Sequence, residues 1–243
     1  MADPTYNNAL EWDKSGERYF ETGIDHVVLY PINNSNEYTP GVAWNGVRSI
    51  AENPSGAEPT KLYADNIQYI TMYSLEEYGM TLACYQYPEE FDACNGIASL
   101  GGTSVGAKVG QQSRKKFGLA YRTKIGNDTQ GNDLGYKLHL VYGCSAKPSS
   151  KTHNTVNNSP EAEEFSFEIT SDPINASSDP AETLKPLCYI EIDSREFTTV
   201  DEKALLTALE KKLFGDPAAA SASEGIPYLP LPSEVKTTLT PNG

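Results

Sequence analysis

A chain of 243 residues, 38% of them hydrophobic, is long enough to bury one sizeable core while leaving much of its length to exposed loops and arms. Its formal charge of -14 argues against a surface built to hold nucleic-acid phosphates, which needs clustered Lys and Arg, and equally against an anionic membrane surface. No stretch approaches the roughly 18 consecutive apolar residues of a membrane span, so no membrane insertion is expected.

Residues 1–20 read as a polar N-terminal arm, and Met1-Ala2-Asp3-Pro4-Thr5 carries neither the basic region nor the apolar run of a secretory signal. Asp25 to Ile32, with Val27, Val28, Leu29 and Tyr30 ahead of Pro31, predicts a first strand. Val42 to Ile50 is strand-like and leads into a polar segment broken by Pro54, Gly56 and Pro59. A second extended segment, Lys61 to Tyr73, carries Tyr63-Ala64-Asp65-Asn66. Glu76-Glu77 and Gly79 precede a third, Met80 to Tyr87, and a helical turn fits Glu89 to Cys94.

Period-two alternation is strongest further on. In Lys116 to Arg122, Phe117, Leu119 and Tyr121 share a face; in Tyr136 to Gly143, Leu138, Leu140 and Tyr142 do. Between them the Gly/Asn/Asp-rich residues 126–135 predict a long hairpin loop. Glu164 to Thr170 alternates with Phe165, Phe167 and Ile169 inward, and Leu187 to Asp193 is the last clear strand. One helix stands out over Val200 to Phe214. Thr199 and Glu202 form a capping box, Leu205, Leu206, Leu209 and Leu213 make a one-sided stripe, and Gly215 with Pro217 ends it. Ala218 to Ser223 is a low-complexity linker. It opens into a Pro-rich tail with Ile226, Tyr228, Leu229 and Leu231, expected to be extended and to dock on the sheet or on a neighbour. The fold class that follows is mainly β, a β-sandwich with one flanking helix, long loops and extended terminal arms. Its parts are an arm at 1–20, a β domain at 21–215 and an extension at 216–243.

Candidate chemistry is sparse. Cys84, Cys94, Cys144 and Cys188 show no CxxC spacing and read as reduced, mostly packed thiols. Gly102-Thr103-Ser104-Val105-Gly106 fits the G-x-S-x-G pattern of a nucleophile elbow, but Gly110 and Gly118 oppose the helix that must follow. A flexible glycine turn is the better reading. The same segment misses a phosphate-binding loop because Ala107 stands where the lysine belongs. His26, His139 and His153 lack metal-ligand spacing. The pairs Glu76-Glu77 and Glu89-Glu90 face opposite ways on extended chain and read as solvated. Arg114-Lys115-Lys116, the one basic run, reads as a patch for acidic groups of a neighbouring subunit. No catalytic, cofactor-binding or metal-binding residue is assigned, and no enzyme is expected. The 15 tyrosines suit both strands and contact surfaces.

From Trp44 to Gly96 the chain runs WNGVRSIAENPSGAEPTKLYADNIQYITMYSLEEYGMTLACYQYPEEFDACNG. Together with Gly110 to Leu119, Tyr121-Arg122-Thr123, Ile125 to Asp128 and Gly135 to Tyr142, this text resembles the major tail protein of long-tailed bacteriophages with non-contractile tails. The resemblance implies a structural virion protein of the siphophage tail, assembled in the host cytoplasm, with a tail-tube β-sandwich fold. Its protomers would close into hexameric rings that stack into the tail tube, the conduit for DNA ejection. Implied partners are further copies of itself, the tape-measure protein, the tail terminator and tail-tip proteins, and double-stranded DNA passing through the lumen without specific binding. No cofactor is implied. The segment Pro54 to Tyr73 is too long for an ordinary connection, so Tyr63, Asp65, Asn66 and Tyr69 are the candidate inter-subunit contacts, acting with the N-terminal arm. Two other readings stay open: the tube protein of a contractile injection or secretion system, and a carbohydrate-binding β-sandwich module.

Overall fold

A computed structural model describes residues 10, 12–56, 58–74, 76–101, 106–155, 162–176, 185–221 and 224–241. Residues 102–105 of the G-x-S-x-G stretch and half of the N-terminal arm, 1–9 and 11, lie outside the described residues. In chain order the strands are β1 (Tyr19–Pro31), β2 (Val42–Ala43), β3 (Val47–Glu52), β4 (Ser55–Gly56), β5 (Pro59–Ala64), β6 (Ile67–Tyr73), β7 (Glu76–Cys84), β8 (Ala98–Ser99), β9 (Lys108–Val109), β10 (Phe117–Asn127), β11 (Gly131–Ala146), β12 (Phe165–Ser171) and β13 (Tyr189–Asp193). The helices are α1 (Phe91–Cys94), α2 (Val200–Phe214) and α3 (Pro232–Leu239).

The main sheet runs β2-β1-β10-β11-β12-β7-β3, with β13 alongside β11 and β4 alongside β7. Every pairing is antiparallel. Strand β11 forks the sheet: Lys137 to Val141 pair with β13, whereas Cys144 to Ala146 pair with β12. Gly143 sits at the fork with φ 61, and a Cβ there would lie 2.3 Å from the Asp172 carbonyl oxygen, so the bend requires glycine.

Beyond the fork, β12, β7 and β3 fold over β1 and β10. Phe117, Leu119 and Tyr121 of β10 then meet Met80 and Leu82 of β7 and Phe167 and Ile169 of β12 in one core. The opposite face of β1, β10 and β11 carries Tyr30, Leu138, Leu140 and Tyr142 into a second core under α2 and α3. The molecule is therefore a mainly-β sandwich with a helical layer on its outer face. The two alternating runs, on 117–121 and 138–142, serve opposite faces of one sheet.

Local chemistry explains the elements. Thr199 accepts from the Glu202 N–H, the Glu202 carboxylate accepts from the Thr199 N–H, and Gly215 closes α2 at φ 91. Leu206, Leu209 and Leu213 are buried and Leu205 half-buried, as the stripe requires.

Several expectations are corrected. The strand expected over 42–50 is broken at Trp44 to Gly46, where Gly46 has φ 76 and the Trp44 ring turns into the core with Nε1–H donating to the Gln86 carbonyl. Strands β10 and β11 run on through the supposed long loop, with Asn127 paired to Gly131. The Asn127 side-chain oxygen accepts from the N–H groups of Thr129 and Gln130 and tightens that turn. The tail is extended only as far as Leu231 and then forms α3, whose first residue is Pro232. Leu229 is buried on the sheet, so this extension packs into the domain.

Candidate functional site

The segment singled out between Pro54 and Tyr73 forms a two-stranded hairpin, β5–β6, which pairs with no other strand. Its turn is Asp65-Asn66, with φ 50 and 64, closed by the Ala64–Ile67 pair. A two-residue turn with both central residues left-handed matches the twist of the strands, and Asp and Asn tolerate that conformation. Asp65 and Asn66 thus have a backbone role at the hairpin tip.

Register decides what the hairpin presents. Leu62 pairs with Ile70 and Tyr63 with Gln68, leaving Tyr69 as a bulge without a partner. Side chains alternate between faces, so Thr60, Leu62, Ile67, Ile70 and Met72 share one face and Lys61, Tyr63, Gln68, Thr71 and Tyr73 the other. The Gln68 amide donates to the Thr71 hydroxyl at 2.9 Å, as two residues on one face can. The first face is aliphatic and uncovered: Leu62 is 45% exposed, Ile67 65%, Ile70 46% and Met72 55%. Tyr63 and Tyr69 are open to solvent as well, but Tyr63 lies behind the aliphatic face and Tyr69 at the bulge. The four residues named from sequence are all on this hairpin, and they do not form one patch.

The aliphatic side chains were the ones sequence reasoning missed. Their signal was alternation on both sides of a two-residue turn. The bulge at Tyr69 shifts Ile70 and Met72 out of step with Ile67 and hides it.

At the hairpin base the Ser74 N–H donates to the Glu58 carbonyl and the Glu58 N–H to the Ser74 hydroxyl. Strand β4 then ties the segment to the start of β7 through the Ser55–Glu77 and Gly56–Glu76 pairs. Glu58, Glu76 and Glu77 are exposed there, and none makes an ion pair among the described residues.

Several polar groups elsewhere are committed within the chain. Arg114 donates to the Asn95 side chain and the Ala146 carbonyl, and Lys116 pairs with Asp172 at 2.7 Å. Arg114, Lys115 and Lys116 are nevertheless all exposed, so these bonds leave the run at the surface. Burial pushes the thiol of Cys84 up to about 11 and that of Cys94 up to about 12, which leaves them weak nucleophiles near neutral pH. All four cysteines are free. Among the described residues no three His, Cys, Asp or Glu side chains gather as a metal would need. No protein-family model matches the chain, and no curated protein matches it.

Proposed function

We propose that this protein is a structural subunit that assembles with copies of itself into stacked hexameric rings, forming the tail tube of a non-contractile phage tail. The observation that carries the reading is the projecting β5–β6 hairpin with its bare aliphatic face. A lone two-stranded hairpin is marginal in water, and four exposed aliphatic side chains on one face call for a partner surface. The sequence resemblance supplies the kind of partner, further copies of the chain, and the tube as the product. A carbohydrate-binding module would use ring faces for sugar stacking and has no use for that aliphatic face.

The charge suits a conduit. A ring of six would carry six times the -14 of one chain. Any share of that on an inner wall would repel DNA phosphates over about 8 Å at physiological ionic strength, so the genome would pass without a strong site to hold it.

The test is negative-stain electron microscopy of the concentrated protein, with and without tail-tip complexes as seeds. Hollow tubes or stacked rings are the expected result. A chain that stays monomeric with seeds present would overturn the proposal.

A further inference from the structure

A cleft of about 490 Å³ opens between the β10–β11 end of the main sheet and α2. Arg122, Lys124, Tyr136, Asp133 and Lys203 are among its lining residues. The Arg122 guanidinium is fixed by two hydrogen bonds to Asp25, at 2.7 and 3.0 Å, and lies 4.9 Å from the centre of the Tyr136 ring. Lys124 and Lys203 are different. Both are exposed, and neither has an ion-pair partner among the described residues. Asp133 is the single carboxylate of the lining and pairs with neither of them. In a chain of charge -14 this cleft offers cations to a partner.

The matching acid group is found by elimination. Of the acidic pairs among the described residues, Glu89-Glu90 has Lys108 beside Glu89, Glu163-Glu164 has His153 and Arg48, and Asp201-Glu202 sits on α2, which lines the cleft itself, with Glu202 committed to the helix cap. Glu76-Glu77, with Glu58 nearby at the hairpin base, has no ion-pair partner among the described residues. The base and the cleft lie on opposite layers, since β7 belongs to the folded-over layer and α2 covers the outer face. One copy cannot join them to each other.

We propose that the cleft receives the hairpin base of a second copy, the start of its β7 entering edge-on so that Glu76 on one face of the strand and Glu77 on the other meet Lys124 and Lys203 on the two walls. The inference rests on the self-assembly reading and deepens it. Two unlike surfaces make a head-to-tail contact, which repeats from copy to copy and closes a ring or runs on as a filament. Exposed ion pairs of this kind set register and association rate more than affinity. The aliphatic hairpin face supplies the affinity.

A charge swap tests it. Lys124→Glu/Lys203→Glu places acid against acid, and Glu76→Lys/Glu77→Lys places base against base. Each variant alone should assemble at least about tenfold more slowly than wild type, followed by light scattering and microscopy. An equimolar mixture should recover, because every contact between the two variants then joins opposite charges. Recovery also shows that both variants are folded. Variants that assemble alone as wild type does would remove the contact and leave the tube reading standing, and a mixture that fails although both components melt like wild type would remove it equally. Wild-type assembly should also slow as salt rises from roughly 0.05 to 0.5 M, and salt-independent assembly would overturn the ionic contact. Wild-type protein that never self-associates would overturn both proposals.

Discussion

The ring of Tyr121 lies flat on that of His139, with centroids 4.5 Å apart and planes 7° from parallel. The two are direct partners across β10 and β11, and the imidazole is only 6% exposed. Its Nε2 is 2.9 Å from the Thr123 hydroxyl and its Nδ1 3.8 Å from the Glu191 carboxylate. Burial pushes the imidazole below its ordinary value of 6.5, and Lys137 pushes the same way, against the carboxylates of Glu191, Glu52 and Glu21. The native state thus holds His139 neutral, while the unfolded chain takes a proton near 6.5. Stability from this site is full above that pH and declines as pH falls through it towards the lower native value. Between pH 7.5 and 5.5 the melting temperature should therefore drop further in wild type than in His139→Gln. Melting curves that shift in parallel would show that His139 does not couple folding to pH.

On the hairpin, stability and assembly should separate. Leu62 and Ile70 face solvent, so Leu62→Ser with Ile70→Ser removes no core contact. The monomer should melt within about 2 °C of wild type, as surface substitutions do. Tube formation should nonetheless be lost, read by sedimentation and microscopy. Tyr63→Ser, on the opposite face, should do less harm. Normal tubes from the double variant would release the aliphatic face from any role in assembly.

How much of this the sequence disclosed follows from how each signal is written. Phe117, Leu119 and Tyr121, like Leu138, Leu140 and Tyr142, alternate without interruption, so both strands and both buried faces could be read directly. The Thr199–Glu202 box and the leucine stripe made α2 equally legible. The hairpin was marked as functional by its length, but its face was not. Asp65-Asn66 lacks the glycine that most often signals a two-residue turn, and the Tyr69 bulge breaks the alternation. Helix α3 was missed because Pro232 ends a proline-rich run, although proline suits the first helical turn. The cleft pairs residues more than 70 positions apart, Lys124 with Lys203, and no local pattern carries that relation.

The anchoring of α2 can be measured at both ends. At its start the Thr199 hydroxyl accepts from the Glu202 N–H at 3.2 Å. At its finish the buried Tyr30 hydroxyl donates to the Leu213 carbonyl at 2.6 Å. Thr199→Ala should cost about 1 kcal/mol. Tyr30→Phe should cost about 1–2 kcal/mol, because it removes a buried donor and leaves a buried carbonyl short of a partner. The two sites are separated by the length of the helix, so chemical denaturation of the double variant should give nearly the sum. A clear excess over the sum would mean that the helix detaches as a unit from the sheet.

The last contact to test is the seat of the C-terminal extension. The Tyr142 hydroxyl donates to the Pro230 carbonyl at 2.9 Å, and the Tyr228 N–H donates to the Lys212 carbonyl at 2.7 Å. Between these bonds Leu229 presses on Gly118: a Cβ on that glycine would lie 2.3 Å from Leu229 Cδ2, 2.9 Å from Tyr38 Cε1 and 3.2 Å from the Val141 carbonyl oxygen. The backbone of β10 is bare at this point because the extension crosses it. Gly118→Ala should therefore overpack the second core and cost about 1–3 kcal/mol. It should also expose residues 224–241 to limited proteolysis well below the melting temperature. Adding Leu229→Ala removes the nearest clashing atoms, so the double variant should lose less than the two single losses together. Simple additivity, with the extension still protected in Gly118→Ala, would show that residues 224–241 are held by their other contacts and not by this one.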